Sequence, residues 1–328
     1  MRGLSTEASD PALAELDQLP TAEVVRAVVR GHEEVLAAVA AVEDAVARLA
    51  DLVAERMDRG GRVIYAGAGT GGRVALLDAA EWGPTFSVPD DKVIALVAGA
   101  DHPPGSAEEA AAEDDAEAGA AAVRALGRAP EAALGPAPSG PGPEGSLGAG
   151  PGPKWSLGAD DTVIGVSASG RTPYVLGAVE AARAAGALTA AVTSHPKSRL
   201  AEVVDVAIEV PVGPEVIAGS TRLKAGTAQK LVLNAFSTAV MVRRGRTLGN
   251  LMVGMRVANE KLRGRATTVC MAATGCTETE ARAALAAAGD DLAVAVVSLV
   301  RGVAADEARR RLEASGGAVR AALRANWS

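Results

Sequence analysis

The sequence predicts an α/β protein, a doubly wound and mostly parallel sheet with a small helical bundle at its C-terminal end. Three observations carry that reading. Short apolar runs at 62–66, 93–98, 162–167, 189–193 and 206–210 alternate with longer segments of helical periodicity. That alternation is the pattern of a parallel sheet covered on both faces. Two of the runs pass directly into turns rich in glycine and hydroxyl groups that open helices. From about residue 265 onward only helical patterns remain, broken at Asp290-Asp291 and Ala305-Asp306.

The elements follow in order. Residues 1–20 read as an extended arm closed by Pro20, with Thr21 as the N-cap of a first helix. Residues 33–57, rich in Ala, Val and Leu with spaced charges, predict one long amphipathic helix ended by Gly60-Gly61. A strand at 62–66 leads into Gly67-Ala-Gly-Thr-Gly-Gly-Arg73 and a helix through Glu81. A second strand, 93–98, precedes an Ala- and acid-rich helix at 107–126. Residues 128–158 hold seven of the seventeen prolines and repeat Ser-Leu-Gly-Ala; so few packing groups predict a disordered insertion. The strand at 162–167 runs into Ser167-Ala-Ser-Gly-Arg-Thr-Pro173 and a helix at 174–185. Then come a strand, a short helix at 198–204, a last strand and one long helix at 220–244. Three units are expected: N-terminal arm and helices (1–60), the sheet domain (61–255) and the C-terminal bundle (256–328).

Composition narrows the function classes. A formal net charge of −7 argues against nucleic acid and against a membrane surface as partners. The acidic N-terminus lacks the apolar stretch of a signal peptide, and no apolar run approaches the roughly 18 residues of a membrane span. Two cysteines, Cys270 and Cys276, make neither a disulfide framework nor a zinc cluster, so they read as idle thiols in a reducing cytoplasm. His32, His102 and His195 are scattered without ligand spacing, so no metal and no other cofactor is expected. The charges at 309–311 read as a solvated helix face.

The chemistry sits in two strand–turn–helix units. Gly67-x-Gly69-x-x-Gly72 fits a dinucleotide fingerprint by count, but the acid that should end the next strand is missing, since Asp101 lies too far along. The turn Ser167-Ala-Ser169-Gly-Arg-Thr172 places three hydroxyls and a run of backbone N–H groups at a helix N-terminus. Such a terminus offers unpaired donors and partial positive charge, which suits a phosphate monoester.

The stretch Val166-Ser-Ala-Ser-Gly-Arg-Thr-Pro-Tyr-Val175 resembles the sugar-phosphate loop of the sugar isomerase (SIS) domain. Further stretches narrow the resemblance. They are 67–73, Leu77-Asp-Ala-Ala-Glu-Trp-Gly-Pro-Thr-Phe86, the long run from Val212 to Asn234, and Gly249-Asn-Leu-Met-Val253. Together they resemble the N-acetylmuramic acid 6-phosphate etherase family over nearly the whole chain outside the insertion. The chain departs from the usual family pattern at Gly71 (serine), Trp82-Gly83 (Cys-Pro), His195 (asparagine) and Gly254 (aspartate).

The resemblance implies cleavage of the D-lactyl ether of N-acetylmuramic acid 6-phosphate by β-elimination, followed by water addition. It implies Glu81 as the acid and Glu113 as the base, with Glu109 and Asp114 open as alternatives for the base because the match needs a one-residue insertion. It implies substrate and phosphate contacts from Ser167, Ser169 and Thr172, from Gly69 and Thr70, and from Glu215, Ser220, Thr221 and Lys224. It also implies a homodimer. Lys230 reads as an exposed or interface charge. Two other readings share parts of the pattern: a sugar-phosphate-sensing regulator, and an aldose–ketose isomerase, which leaves the 212–234 stretch unexplained.

Overall fold

The computed structural model describes residues 4–126 and 157–324, so most of the expected insertion lies outside the described residues. Five strands, β1 (Val63–Gly67), β2 (Val93–Val97), β3 (Thr162–Val166), β4 (Leu188–Thr193) and β5 (Val206–Glu209), form one sheet. Their order is β2-β1-β3-β4-β5, and every neighbouring pair is parallel. Alternate residues point to opposite faces. Val63, Tyr65, Ile164, Val166, Val192 and Ile208 join one core, and Ile64, Ala66, Val163 and Ala191 join another. Because both faces are covered, the strands are mostly apolar, with threonines and Glu209 mainly at their ends, instead of alternating with polar residues.

The first face is covered by α2 (Glu33–Ala40), α3 (Glu43–Asp58), α4 (Gly69–Phe86) and α9 (Lys224–Arg243). The second carries α6 (Ala116–Ala125), α7 (Pro173–Ala184) and the short α8 (Arg199–Glu202). Two remaining helices precede these in their regions: α1 (Thr21–Gly31) and α5 (Ala107–Ala112). The C-terminal helices α10 (Glu260–Thr274), α11 (Glu278–Ala287), α12 (Leu292–Arg301), α13 (Ala305–Ala314) and α14 (Val319–Arg324) enclose a separate core running from Val253 to Ala322. Among the described residues no single helix is long and apolar enough to cross a membrane.

Several expected elements are corrected. Residues 4–20 are not extended: they form three single 3-10 turns, with Leu4 and Thr6 buried. Thr21 is the first residue of α1, and Pro20 occupies the N-cap position. The helix expected over 33–57 breaks where Val42 leaves helical geometry (φ −115°, ψ 9°), which lets Val35 and Val39 reach the same core as Leu49 and Val53. The helix expected over 107–126 breaks before Asp115, whose side chain accepts from Ala118 N–H and starts α6. The long last helix of the sheet domain starts at Lys224, not at 220. Glu215 accepts the N–H groups of Lys224 and Ala225 at 2.8 and 2.9 Å and sets that start. Helix α4 continues past Glu81 through Pro84, whose missing N–H costs one bond near the end of the helix. In the bundle, Arg311 is buried and bonds Glu307 at 2.8 Å, so the 309–311 charges are not a wholly solvated face. Cys270 is buried and Cys276 half-buried; both are free, and burial pushes the Cys270 thiol up to about 11.

Candidate active site

The strand order reverses direction at one place. From β1 the chain moves outward to β2, while β3 leads the other way to β4 and β5. In an open parallel sheet a ligand crevice opens at such a switch, beyond the carboxyl ends of the strands. Gly67 and Val166, the last residues of β1 and β3, are register partners. Both loops singled out from the sequence therefore start side by side at the switch point.

The first loop turns at Gly69, whose φ of +52° suits a residue without Cβ, and α4 begins there. The second turns at Gly170 (φ +61°) and ends at Pro173, the first residue of α7. Within it, Ser167 Oγ lies 2.9 Å from Thr172 Oγ1 and accepts Gly170 N–H at 3.1 Å, while Ser169 Oγ accepts Arg171 N–H at 3.2 Å. The three hydroxyls are thus gathered by their own turn. Ser167 is buried; Ser169 and Thr172 are partly open. Thr70 packs against Gly226 in the first turn of α9, which brings that helix start to the first loop.

Glu113 follows α5, and its carbonyl accepts Tyr174 N–H at 3.1 Å, which ties it to the start of α7. Its carboxylate overlies the first loop: a Cβ on Gly69 would stand 2.8 Å from Oε1. Burial, then the charges of Glu109 and Asp114, raise the Glu113 pKa above the usual carboxylate value, against a lowering pull from Arg73. Glu109 is differently placed. Both of its oxygens meet Arg73 Nη2, at 2.6 and 2.8 Å, and it also accepts Gly105 N–H. Asp114 is exposed.

Glu81 does not join this group. It lies on the exposed side of α4, twelve residues beyond Gly69, hence about 18 Å along the helix axis. Leu77, one turn earlier on the same face, and its neighbour Leu76 are exposed at 47% and 52%. Glu215 is buried with both oxygens taken by the start of α9. Lys224 is also buried and pairs with Glu34 of α2 at 2.7 Å. Ser220 and Thr221 lie half-buried in the turn before α9, where Thr221 carbonyl accepts Gly226 N–H at 2.8 Å. Lys230 bonds Asn234 at 2.7 Å on the outer side of α9.

Two residues escaped the sequence reading. Asp78 is buried and accepts from Tyr65 Oη (2.7 Å), Trp82 Nε1 (3.0 Å) and Ser237 Oγ (3.0 Å), which stitches α4 to β1 and α9. Burial raises its pKa. The signal was present: Gly71, Ala75, Asp78, Trp82 and Phe86 form one buried stripe at helical spacing, with an acid on it. Trp82, a departure from the family pattern, is accommodated by that bond. The second is Gln229 of α9, buried beside Gly71, whose Nε2 has no hydrogen-bond partner among the described residues. Ser194 Oγ and His195 Nδ1, just past β4, are likewise unpaired there.

Two family models match the chain: a glucokinase regulatory protein N-terminal SIS domain over 44–134 and an SIS domain over 148–239. Among solved structures, a phosphoheptose isomerase from Francisella tularensis is similar at 15% identity with a TM-score of 0.46, covering 68% of this chain and all of that one. Full-length relatives are much more alike. An N-acetylmuramic acid 6-phosphate etherase of Rubrobacter xylanophilus is 49% identical over 98% of this chain and 96% of its own length. The protein of the same name from Streptomyces avermitilis is 47% identical over 98% and 94%, and that from Cutibacterium acnes 44% over 98% and 96%. These matches span 98% of the chain, far beyond the 148–239 stretch that the SIS domain model covers. The chain belongs to the N-acetylmuramic acid 6-phosphate etherase family.

Proposed function

We propose that this protein cleaves the D-lactyl ether of N-acetylmuramic acid 6-phosphate, giving N-acetylglucosamine 6-phosphate and D-lactate. The observation that carries the reading is the pairing, at one switch point, of a three-hydroxyl anion turn with a carboxylate of raised pKa, in a chain 49% identical to an etherase.

The turn at Ser167, Ser169 and Thr172 takes the 6-phosphate, helped by the N–H groups opening α7 and by Gly69 and Thr70 opposite. With the sugar ring open, carbon 2 lies beside an aldehyde and its proton is acidic. Glu113 removes that proton. The electron pair forms the carbon 2–carbon 3 double bond as the carbon 3–oxygen bond breaks, and the lactate oxygen takes a proton from Glu81. Water then adds at carbon 3 and a proton returns to carbon 2. A raised pKa makes Glu113 a stronger base than an ordinary carboxylate. Glu109, held by Arg73, is the poorer candidate.

The Glu113 carboxylate stands over Gly69, and Glu81 lies about 18 Å from Gly69 along the axis of α4, a wide separation for two groups acting on one substrate. We assign the acid to a second copy, in a homodimer whose contact includes the α4 face of Leu76, Leu77 and Glu81. Val25 and Val29 on α1, which buries none of its residues, and Leu36 on α2 are exposed apolar side chains as well. Ser220, Thr221 and Lys224 border the crevice at the start of α9 and contribute to substrate binding there. Glu215 acts by fixing that start.

The test is incubation with N-acetylmuramic acid 6-phosphate in deuterium oxide. Release of D-lactate with one deuterium at carbon 2 of the product is expected. Absence of lactate release from folded protein would overturn the reading.

A further inference from the structure

Away from the crevice, a cleft of about 550 Å³ opens between the sheet domain and the C-terminal bundle. One wall is the end of α4, at Phe86 and Ser87; the others are the strap at 253–257, the turn before α12 and the inner side of α13. Three arginines from three separate stretches line it: Arg246, Arg256 and Arg309.

Their existing partners are weak or incomplete. Arg246 is half-buried, lies across Gly317, and has one hydrogen bond, from Nη2 to the Gly316 carbonyl at 3.3 Å. No carboxylate stands within ion-pair distance of it among the described residues, and burial, then the neighbouring Arg244, lower its pKa. Arg309 donates to the Ala288 carbonyl at 2.9 Å and stands 3.6 Å from Asp291. Arg256 reaches only the exposed Asp90, at 4.0 Å. Of the three acids lining the cleft, Asp290 bonds Arg263 at 2.6 Å and Asp291 accepts Val294 N–H at 3.0 Å to cap α12, while Glu313 stands exposed without a side-chain hydrogen bond or ion pair among the described residues. Arg246 thus keeps most of its five donors free of protein partners, and none of them is a buried atom without a partner, so they are open to an incoming acceptor.

We propose that this cleft is a second ligand site, specific for a phosphorylated sugar. Its phosphate lies on Arg246 and Arg309, with Arg256 at the rim. Converging guanidinium groups hold a dianion better than a single carboxylate charge. The volume accommodates a hexose, Phe86 and Leu312 offer apolar surface to the ring, and the Ser87 hydroxyl can donate to or accept from sugar hydroxyls. The site lies at the far end of α4 from Gly69 and uses none of the residues assigned to ether cleavage. Phe86 is five residues beyond Glu81 on the same helix, so an occupant there contacts the element that carries the acid.

Calorimetric titration of the full chain with N-acetylglucosamine 6-phosphate tests this. Two equivalents per chain are expected in the wild type. Arg246→Gln should remove one and leave lactate release from the muramic substrate within about two-fold, whereas Ser169→Ala should weaken the other. Inorganic phosphate should compete at the Arg246-dependent site, and N-acetylglucosamine without phosphate should bind there at least about 10-fold more weakly. If Arg246→Gln does not fold, as its melting curve would reveal, the exposed Arg256→Gln should still weaken that site several-fold. A single equivalent in the wild type, two equivalents retained in both arginine variants, or equal binding of the unphosphorylated sugar would overturn the proposal. Titration reads the second site whether or not ether cleavage occurs, so the two readings fail separately.

Discussion

The crevice at the switch point and the outer face of α4 are built on opposite principles. In the crevice the anion turn and Glu109 are held by the chain itself, while Gln229 Nε2 has no partner among the described residues. The Ser167 turn closes on its own hydroxyls, Glu109 is clamped by Arg73, and Glu113 is fixed through its carbonyl to α7. On the α4 face, Glu81 stands exposed beside Leu76 and Leu77, while the buried side of the same helix is pinned by Asp78. One helix thus contributes its N-terminus to a site completed within its own chain and its outer face to a surface that awaits another. On the proposed reading, phosphate and base belong to one half and the acid to the other.

The largest expected effect is at the base. Glu113→Gln should lower lactate release by about 10²–10⁴-fold and abolish exchange of the carbon 2 proton with solvent deuterium. Normal exchange in that variant would move the base to another carboxylate, with Glu109 first. Glu81→Gln should instead leave carbon 2 exchange measurable while lactate release falls, because the acid acts on the leaving oxygen. If both variants lost exchange equally, the division of roles between the two regions would fail.

Next in size is the anion turn. Each hydrogen bond to a charged group is worth roughly 1.5–3 kcal/mol, so Ser169→Ala should raise KM about 10- to 100-fold with a smaller change in kcat. The unphosphorylated sugar should lose little. Equal proportional losses for both sugars would show that the turn does not read phosphate.

The smallest effect concerns tuning. Asp114 raises the Glu113 pKa and Arg73 lowers it. Asp114→Asn removes a negative neighbour, so the carboxylate ionises more easily and the acid limb of kcat/KM shifts to lower pH. Arg73→Gln should shift it upward. Asp114 is exposed, so the first shift is small and shrinks further with salt. Shifts of the opposite sign would mean that Glu113 does not govern the acid limb.

The sheet was legible because both its faces are covered, which makes all five strands mostly apolar runs; the observed strands fall within a residue or so of those runs. Both loops were legible because glycine and serine cluster directly after strands. The helix breaks near Val42 and Asp115 were not, since neither carries Gly or Pro and helical periodicity continues across them. Asp115 did carry a cap signal, an acid three residues before the N–H it accepts. The pattern of buried positions along α4 could have exposed Asp78 as a structural acid. Nothing local distinguishes Glu81 from any solvated helix residue; on the proposed reading its role depends on a second copy covering the helix. Glu215 and Lys224 resemble ligands by type; their structural duties, holding the start of α9 and pairing with Glu34, are long-range and left no local signal.

Mixing two inactive variants tests the division most directly. Glu81→Gln and Glu113→Gln chains, unfolded together and refolded in equal amounts, should assort into dimers of which about half are mixed. In each mixed dimer one site combines an intact Glu113 with an intact Glu81 from the other chain, and its companion has neither. The account predicts recovery of about a quarter of wild-type lactate release from the mixture, with neither variant active alone. A mixture as inactive as its parents, in samples shown by mass measurement to contain mixed dimers, would contradict it and place both carboxylates in one chain's site.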